Sequence, residues 1–442
     1  MTASLPKRIF NNINWILVEK VSKAGLTALT SILVARYLGA DGLGAISIAL
    51  TLYSIFAVFG TLGLERFLLK ELETQDCVPE KLIGGSLLLR LFGAFLASAL
   101  MNFVVPFAYP DNSQLQLMVF VLSFAFFIAV GNVFEVFYRH QLRSKYVTVV
   151  RVLGLFASAF SKLLIIWLGL DVVWFTLPVL LETAVVSISF MFLRYRDPEL
   201  ALDKLQFQLT ESKRILNASW PLFFSGLVGT LYFQLDKVVI YQYLDEASLG
   251  RYTLLFQLVS ILTFLIHSIN LSVTPMLNKL YFESVERFWQ RYREVTALKS
   301  ILALLVGIGL VGLGNIVIPF LVGDEFIYST SLFLIFACYF VFVSIGSLQA
   351  EYCVLIGVVK PLFYLRVITL SVNLVLNIIL IPIWGLEGAA FASVASYFLN
   401  QFILPCLIRE MRPMIRHNIA ALNLLIDGKF YRDIYVKSRM LV

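Results

Sequence analysis

The sequence predicts an all-α integral membrane protein of about twelve transmembrane helices in two six-helix bundles, related as a parallel pseudo-repeat. Three observations lead there: the length and spacing of the apolar runs, the placement of lysine and arginine between them, and a match of the chain to itself. Of the 442 residues, 60% are hydrophobic and only 14% charged, against roughly 45–50% and about 25% in ordinary soluble domains. A soluble chain this apolar has too little polar surface to cover itself, so part of its solvent is lipid. Lipid offers no partner to an unpaired backbone N–H or C=O, which leaves helix as the reading of each run. A barrel would show short alternating strands instead.

With spans of about 20 residues, the apolar runs fall at 13–37, 43–69, 83–106, 115–137, 147–170, 172–193, 215–243, 250–275, 296–320, 328–356, 363–384 and 387–408. The first continues into a full span with no small-residue cleavage site, so it reads as an uncleaved anchor. Span one carries Glu19, Lys23, Thr27 and Thr30 on one helical face, and an acid four residues before a lysine is the favourable order for an intrahelical pair. Lys23 lies roughly 13 Å past Asn14 at ~1.5 Å per residue, near mid-bilayer. Span two has Ser47, Thr51, Ser54, Thr61 and Glu65; Lys162 stands alone in span five. Span seven offers Ser225, Gly229 and Asp236, with Lys237 beside them. Span eight offers Ser260, Thr263, His267, Asn270 and Thr274, and span eleven Arg366, Thr369, Asn373 and Asn377.

Orientation follows from the loops. If Lys7 and Arg8 are cytoplasmic, so are Lys70 and Lys81; Arg139, Arg143 and Lys145; and Arg194, Arg196, Lys204, Lys213 and Arg214. Lys279, Arg287, Arg291, Arg293 and Lys299 follow, then Lys360, and a tail with Arg412, Arg416, Lys429, Arg432, Lys437 and Arg439. The opposite loops hold only Arg36 and Arg251 at their edges. The positive-inside rule therefore predicts both termini in the cytoplasm. Glu65, Arg66, Arg139 and Arg151 fall near cytoplasmic span ends, where lipid head groups are the simplest partners.

An offset of 206 residues carries Arg8-Ile9-Phe10-Asn11 onto Arg214-Ile215-Leu216-Asn217, Tyr37-Leu38 onto Tyr243-Leu244, and Leu43-Gly44 onto Leu249-Gly250. Each copy opens on a basic residue, crosses, turns through a short acidic loop ending in Leu-Gly, and crosses back. Six spans per half is an even number, so the halves share one orientation and their pseudo-axis runs along the membrane normal, with a substrate path expected at their interface. The expected division is a first bundle over 1–194, a cytoplasmic linker over 195–213, a second bundle over 214–409 and a basic tail over 410–442. In the tail, Ile419, Leu422 and Ile426 are compatible with an interfacial helix, although added positive-inside charge explains the segment as simply.

Ionisable residues inside a span are costly and usually face a cavity or a partner. Lys23, Lys162, Lys237 and Arg366 are the candidates for a cationic cavity, which by field focusing would favour an anionic ligand. Glu19, Asp236, Glu65 and His267 are the candidates for ion pairs or ion coupling. The structural alternatives are that Lys162 snorkels to an interface and that the Ser and Thr residues bond their own or neighbouring helices. Cys77, Cys338, Cys353 and Cys406 have no disulfide or zinc spacing, and no Gly-rich phosphate loop is present. No cofactor is expected beyond a coupling ion, H+ or Na+, and no nucleic acid partner.

These residues resemble a known family. Val34-Ala35-Arg36-Tyr37-Leu38-Gly39-Ala40-Asp41-Gly42-Leu43-Gly44 is similar to the first outer loop of Wzx-type polysaccharide-unit flippases, the O-antigen and oligosaccharide flippases of the multidrug/oligosaccharidyl-lipid/polysaccharide (MOP) exporter superfamily. Gln234-Leu235-Asp236-Lys237 with Ala247-Ser248-Leu249-Gly250-Arg251-Tyr252 resembles the motif opening the second half, and Val273-Thr274-Pro275 the end of span eight. The most specific stretch is Gly357 to Ala390, with Asn373, Asn377, Ile381-Pro382, Gly385 and Gly388-Ala389-Ala390. The resemblance implies two six-helix bundles forming a V. It further implies ion-driven flipping of an undecaprenyl-pyrophosphate-linked sugar unit across a bacterial inner membrane, alongside other membrane proteins of polysaccharide assembly. Two further C-terminal spans of the peptidoglycan-precursor flippases are missing here. Nor does the N-terminal half show the acidic character of the multidrug members, since Lys23 offsets Glu19. Three alternatives remain at this level. A polytopic sugar polymerase or ligase would need long outer loops with catalytic acids or histidines, and the loop around Tyr109-Pro110-Asp111-Asn112 is short. An ion-coupled drug exporter would depend on Asp236 and Glu19 rather than the lysines. A structural scaffold would have no use for charge at mid-bilayer.

Overall fold

The computed structural model describes residues 5–73, 79–196 and 206–424; Cys77, Lys204 and the tail from Ile426 through Arg439 lie outside them. Every regular element among the described residues is helical. Among the described residues, ten helical runs are long and apolar enough to cross a membrane, from Asn14–Glu71 to Lys360–Leu407. Two of them are long enough to cross twice. Helix α1 (Leu5–Thr61) has 57 residues, roughly 85 Å at ~1.5 Å per residue against a hydrocarbon core of about 30 Å. It breaks at Gly39, whose φ of 68° and ψ of −172° belong to a region only glycine enters without strain. After α2 to α12, helix α13 (Val359–Phe398) repeats the device at Gly385, φ 59° and ψ −132°. Counting each as two gives the twelve crossings that the hydropathy predicts.

Between them come α2 (Leu64–Glu71), α3 (Pro79–Ala108), α4 (Ser113–Ile128), α5 (Glu135–His140), α6 (Ser144–Trp167) and α7 (Leu177–Arg196). The second half contributes α8 (Leu209–Tyr243), α9 (Glu246–Glu283), α10 (Val285–Val322), α11 (Thr330–Gly346), α12 (Gln349–Leu355) and finally α14 (Arg412–Leu424). Of the large hydrophobic side chains that are exposed, most are Leu, Ile and Phe, such as Phe103, Phe107, Ile308 and Phe320, as lipid-facing surface requires. The described residues fall into two compact units: one runs to Tyr241 and takes in Asp245–Leu254, the other comprises Gln242–Leu244 and the chain from Leu255 onward.

In the first unit a core of Leu64, Phe67, Leu82, Phe134, Tyr138 and Phe190 ties α2, α3, α5 and α7 together. The fourth span does not continue straight: between α4 and α5 the chain tightens into a 3₁₀ turn, Ala129–Phe134. Gly131 sits at that turn where a side chain would collide with Ser187 and Met191 of α7, so the close approach of α7 needs glycine there. In the second unit α10 starts eleven residues before the apolar run at 296. Its first three turns are amphipathic, burying Phe288, Tyr292 and Val295 among polar residues that no hydropathy window admits. Ser284 caps it by accepting from the Arg287 N–H. Helix α14 docks on this face: Tyr292 donates to Asn418 at 2.9 Å and Trp289 stacks on His417 at 4.2 Å. The described part of the tail is thus a packed helix whose Met414, Ile415 and Ala421 are buried.

Candidate functional site

The first unit contains a cavity of about 170 Å³ built from seven segments. The end of α1 supplies Tyr53, Gly60 and Thr61, and the Leu62–Gly63 turn, with φ of 49° and 68°, redirects the chain so that Glu65 of α2 reaches the same space. Arg90 comes from α3, Asn132 from the 3₁₀ turn, Glu135 from α5 and Arg151 from α6. Phe126 closes one wall and stacks on Tyr53 with ring centroids 4.9 Å apart.

Glu135 organises the charges. It is 3% exposed, and one carboxylate oxygen accepts from Arg139 Nε at 2.8 Å and Nη2 at 2.5 Å. Its other oxygen pairs with Arg151. A buried carboxylate holding two guanidinium groups is compensated well enough to persist in the membrane, where an unpaired one would not. The arginines near these span ends therefore have a protein partner in place of the head groups expected from sequence. Arg90 differs from them. It is 6% exposed and lies in the field of Glu65, Glu135 and Arg151, yet its Nε has no hydrogen-bond partner among the described residues, nor does Asn132 Oδ1. Two arginines and two glutamates line the lumen, so its formal charge balances.

The cationic residues expected from sequence are placed elsewhere and none lines this cavity. Lys23 is exposed on α1, and Glu19, half-buried, lies within electrostatic reach of Arg139. Lys162 is half-buried on α6, facing Glu182 of α7. Lys237 donates to Gln234 Oε1 at 3.1 Å, and Thr51 donates to the same oxygen at 3.4 Å. Asp236, 3% exposed, accepts from the Tyr252 hydroxyl at 2.5 Å and from the Lys237 N–H at 2.8 Å. Of the remaining candidates, Glu65 lines the cavity, while His267 on α9 and Arg366 on α13 are exposed.

The second unit carries a charged cluster of its own. Lys299, counted among the loop cations from sequence, is fully buried inside α10. Its ammonium donates to Asn270 Oδ1 and to Ser347 Oγ, each at 2.8 Å, with Glu351 within electrostatic reach. Glu351 and Arg366 both bear on Cys353. The two halves come into register here at an offset of 215 residues. That offset carries Leu142, φ 55°, onto Gly357, φ 73°, and Arg151 onto Arg366. Element by element, though not at that offset except for the arginine, the third span of each half holds a buried cation, the short helix after the fourth an acid, and the fifth an arginine. The sequence signal for Arg90 is an arginine inside the run 83–106, but of its helical neighbours only Ser86 is polar, against Leu87, Gly93 and Ala94, so no extended polar face marks it.

Residues 9–281 match the sequence profile of the polysaccharide biosynthesis protein family. The chain belongs to that family. Proteins similar to it are named as flippases and transporters. A probable flippase, AglR of Haloferax volcanii, is 23% identical over 419 residues, covering 89% of this chain and 83% of AglR. Among solved structures, the lipid II flippase MurJ superposes with a TM-score of 0.71 at 14% identity, over 97% of this chain and 96% of MurJ. An inward-facing multidrug resistance MATE transporter of the MOP superfamily gives 0.69 at 14% identity, over 93% and 99%. At such identities the structures speak to the fold of this polysaccharide biosynthesis protein, which is the MOP fold.

Proposed function

We propose that this protein moves an undecaprenyl-pyrophosphate-linked oligosaccharide repeat unit from the cytoplasmic to the outer leaflet of a bacterial inner membrane by alternating access. The observation that carries the reading is the charge-lined cavity within the spanning helices of the first unit, in a member of a polysaccharide biosynthesis family. Lipid-facing helices have no use for Arg90, Glu135 and Arg151, and intramembrane charge of this kind marks substrate or ion pathways. Membership of a polysaccharide biosynthesis family supports a glycan-bearing cargo, and AglR and MurJ, both named as flippases, are consistent with it. In this reading Lys23, Lys162 and Lys237 attract the pyrophosphate group, whose charge they complement. H+ or Na+ is the coupling ion, and Glu19, Asp236, Glu65 and His267 are its candidate ligands.

The test is genetic and biochemical together. Deleting the gene should abolish one surface glycan while its lipid-linked precursor accumulates on the cytoplasmic side. Alanine at Lys23, Lys162 or Lys237, with expression confirmed, should each reduce glycan display in a complementation assay. Full display from all three variants removes the lysines from the mechanism, and an unchanged glycan after deletion removes the cargo.

A further inference from the structure

We infer that the cavity of the first unit is a subsite for one neutral sugar ring of the cargo, a pyranose held by paired arginine and glutamate side chains against an aromatic wall. The inference rests on the flippase reading above and assigns to this site the glycan part of the substrate rather than its phosphates.

Three features of the lumen argue for a polyhydroxylated ring. First, it offers donors and acceptors together: the Nε of Arg90 on one side, Glu65 and the Oδ1 of Asn132 on the other. A ring hydroxyl donates and accepts at once, so neighbouring hydroxyls complement an alternation of guanidinium and carboxylate. Second, the formal charges cancel. A phosphate or pyrophosphate has only acceptors, so it leaves Glu65 and the Oδ1 of Asn132 without a donor and sets its charge against that of Glu65 in a small low-dielectric space. An organic cation would confront Arg90 in the same way. Third, Tyr53 and Phe126 with the small residues Ala57, Gly60 and Ala129 give the remaining wall an apolar surface, suited to the C–H face of a pyranose. The volume of about 170 Å³ is well above the ~10–15 Å³ of probe-occupied space that one water needs, which leaves room for a ring.

Arg90 is the residue that points to a ligand. Its side chain is more than nine-tenths buried and lines the lumen, and Nε has no acceptor among the described residues. Glu135 is saturated by Arg139 and Arg151, so the network on the far side of the cavity is complete without Arg90. A buried guanidinium left over from a complete network has hydrogen-bonding capacity directed at something else.

The experiment is saturation-transfer NMR on the purified full-length protein in detergent. The probes are the methyl glycosides of glucose, N-acetylglucosamine and glucuronic acid, with inorganic pyrophosphate and tetraphenylphosphonium as competitors. At least one of the two neutral glycosides should receive saturation and be unaffected by either competitor, and the anionic glucuronide should not bind better than both. Arg90→Met and Asn132→Leu should weaken that glycoside by at least ~tenfold, the loss of one hydrogen bond to a charged or buried group. Because these variants alter buried polar groups, Gly60→Leu supplies a second route. A Cβ at Gly60 meets only Phe126, at 3.9 Å, so a leucine there fills the lumen and leaves every charge in place. It should keep the wild-type melting temperature while losing glycoside binding and slowing flipping of a fluorescent lipid-linked oligosaccharide in proteoliposomes at least ~tenfold. Displacement of the glycosides by pyrophosphate or by the organic cation, no saturation transfer at all, or a folded Gly60→Leu that binds and flips as wild type would each overturn the sugar subsite. Failure of the wild-type protein to flip the lipid would instead strike the flippase reading, leaving the glycoside result to be judged separately.

Discussion

At the scale of single residues, the protein shows two ways of keeping charge inside a membrane, and they predict different mutational costs. Glu135 holds Arg139 and Arg151 at 3% exposure, so Glu135→Gln strands two guanidinium groups next to a third, Arg90. The expected loss is about 3 kcal/mol, the low end for breaking a buried pair because both arginines are about one-third exposed. Thermal unfolding in detergent reads it. Lys299 is instead solvated by neutral groups, Asn270 and Ser347. Lys299→Met removes the charge and keeps the volume, and should cost under ~1 kcal/mol or stabilise, whereas Asn270→Leu leaves the ammonium short of an acceptor and should cost about 3 kcal/mol. Equal costs for the two would show that Lys299 is not solvated this way. Both sets of residues could be seen in the sequence as charges in or near apolar runs. Their partnerships could not, because Glu135 and Arg151 meet across two helices and Lys299 meets residues 29 and 48 positions away. The face that was legible, Glu19-Lys23-Thr27-Thr30, is the local kind, spaced along one helix, and in the structure Lys23 on it is exposed.

At the scale of elements, the repeat signal acquires a physical reason. Leu43-Gly44 and Leu249-Gly250 match because both glycines sit where the turn of one copy presses on that of the other. A Cβ at Gly44 would fall on the carbonyl of Glu246, and one at Gly250 on the carbonyl of Ala40. Neither obstacle is a side chain that can swing aside, so Gly44→Ala and Gly250→Ala should each sharply reduce the yield of monodisperse protein. Gly229 has nothing within 4 Å of a built Cβ, and Gly229→Ala should be neutral or stabilising by up to ~1 kcal/mol through helix propensity. Size-exclusion profiles and melting temperatures of the three variants decide it, and a well-behaved Gly44→Ala would refute the contact. Element ends were legible where a glycine breaks a continuous apolar run, as at Gly39 and Gly385. They were hidden where a helix leaves the apolar run on an amphipathic face, as α10 does at Phe288 and Tyr292, because a hydropathy average registers the mean and not the face.

At the scale of the whole molecule, the topology rests on parity, and parity rests on two bends. If the run Asn14–Glu71 crosses twice, Asp41 at its bend and Glu73 at its end lie on opposite sides. If it crossed once, every later loop would invert and the basic loops would face outward, against the positive-inside rule. Single cysteines separate the cases. In a background lacking Cys77, Cys338 and Cys406, with the fully buried Cys353 retained, cysteine at Asp41, Asp111 or Asp171 should react with a membrane-impermeant maleimide on intact cells. Cysteine at Glu73, His140 or Gln208 should react only after permeabilisation. The second bend follows the same logic: with α13 folded back at Gly385, Arg416 of α14 should share the protected side with Glu73. Reaction of Glu73Cys and Asp41Cys from the same side would mean that α1 does not return through the bilayer. Six crossings per half would then be lost, and with them the even count that lets two parallel copies share one membrane.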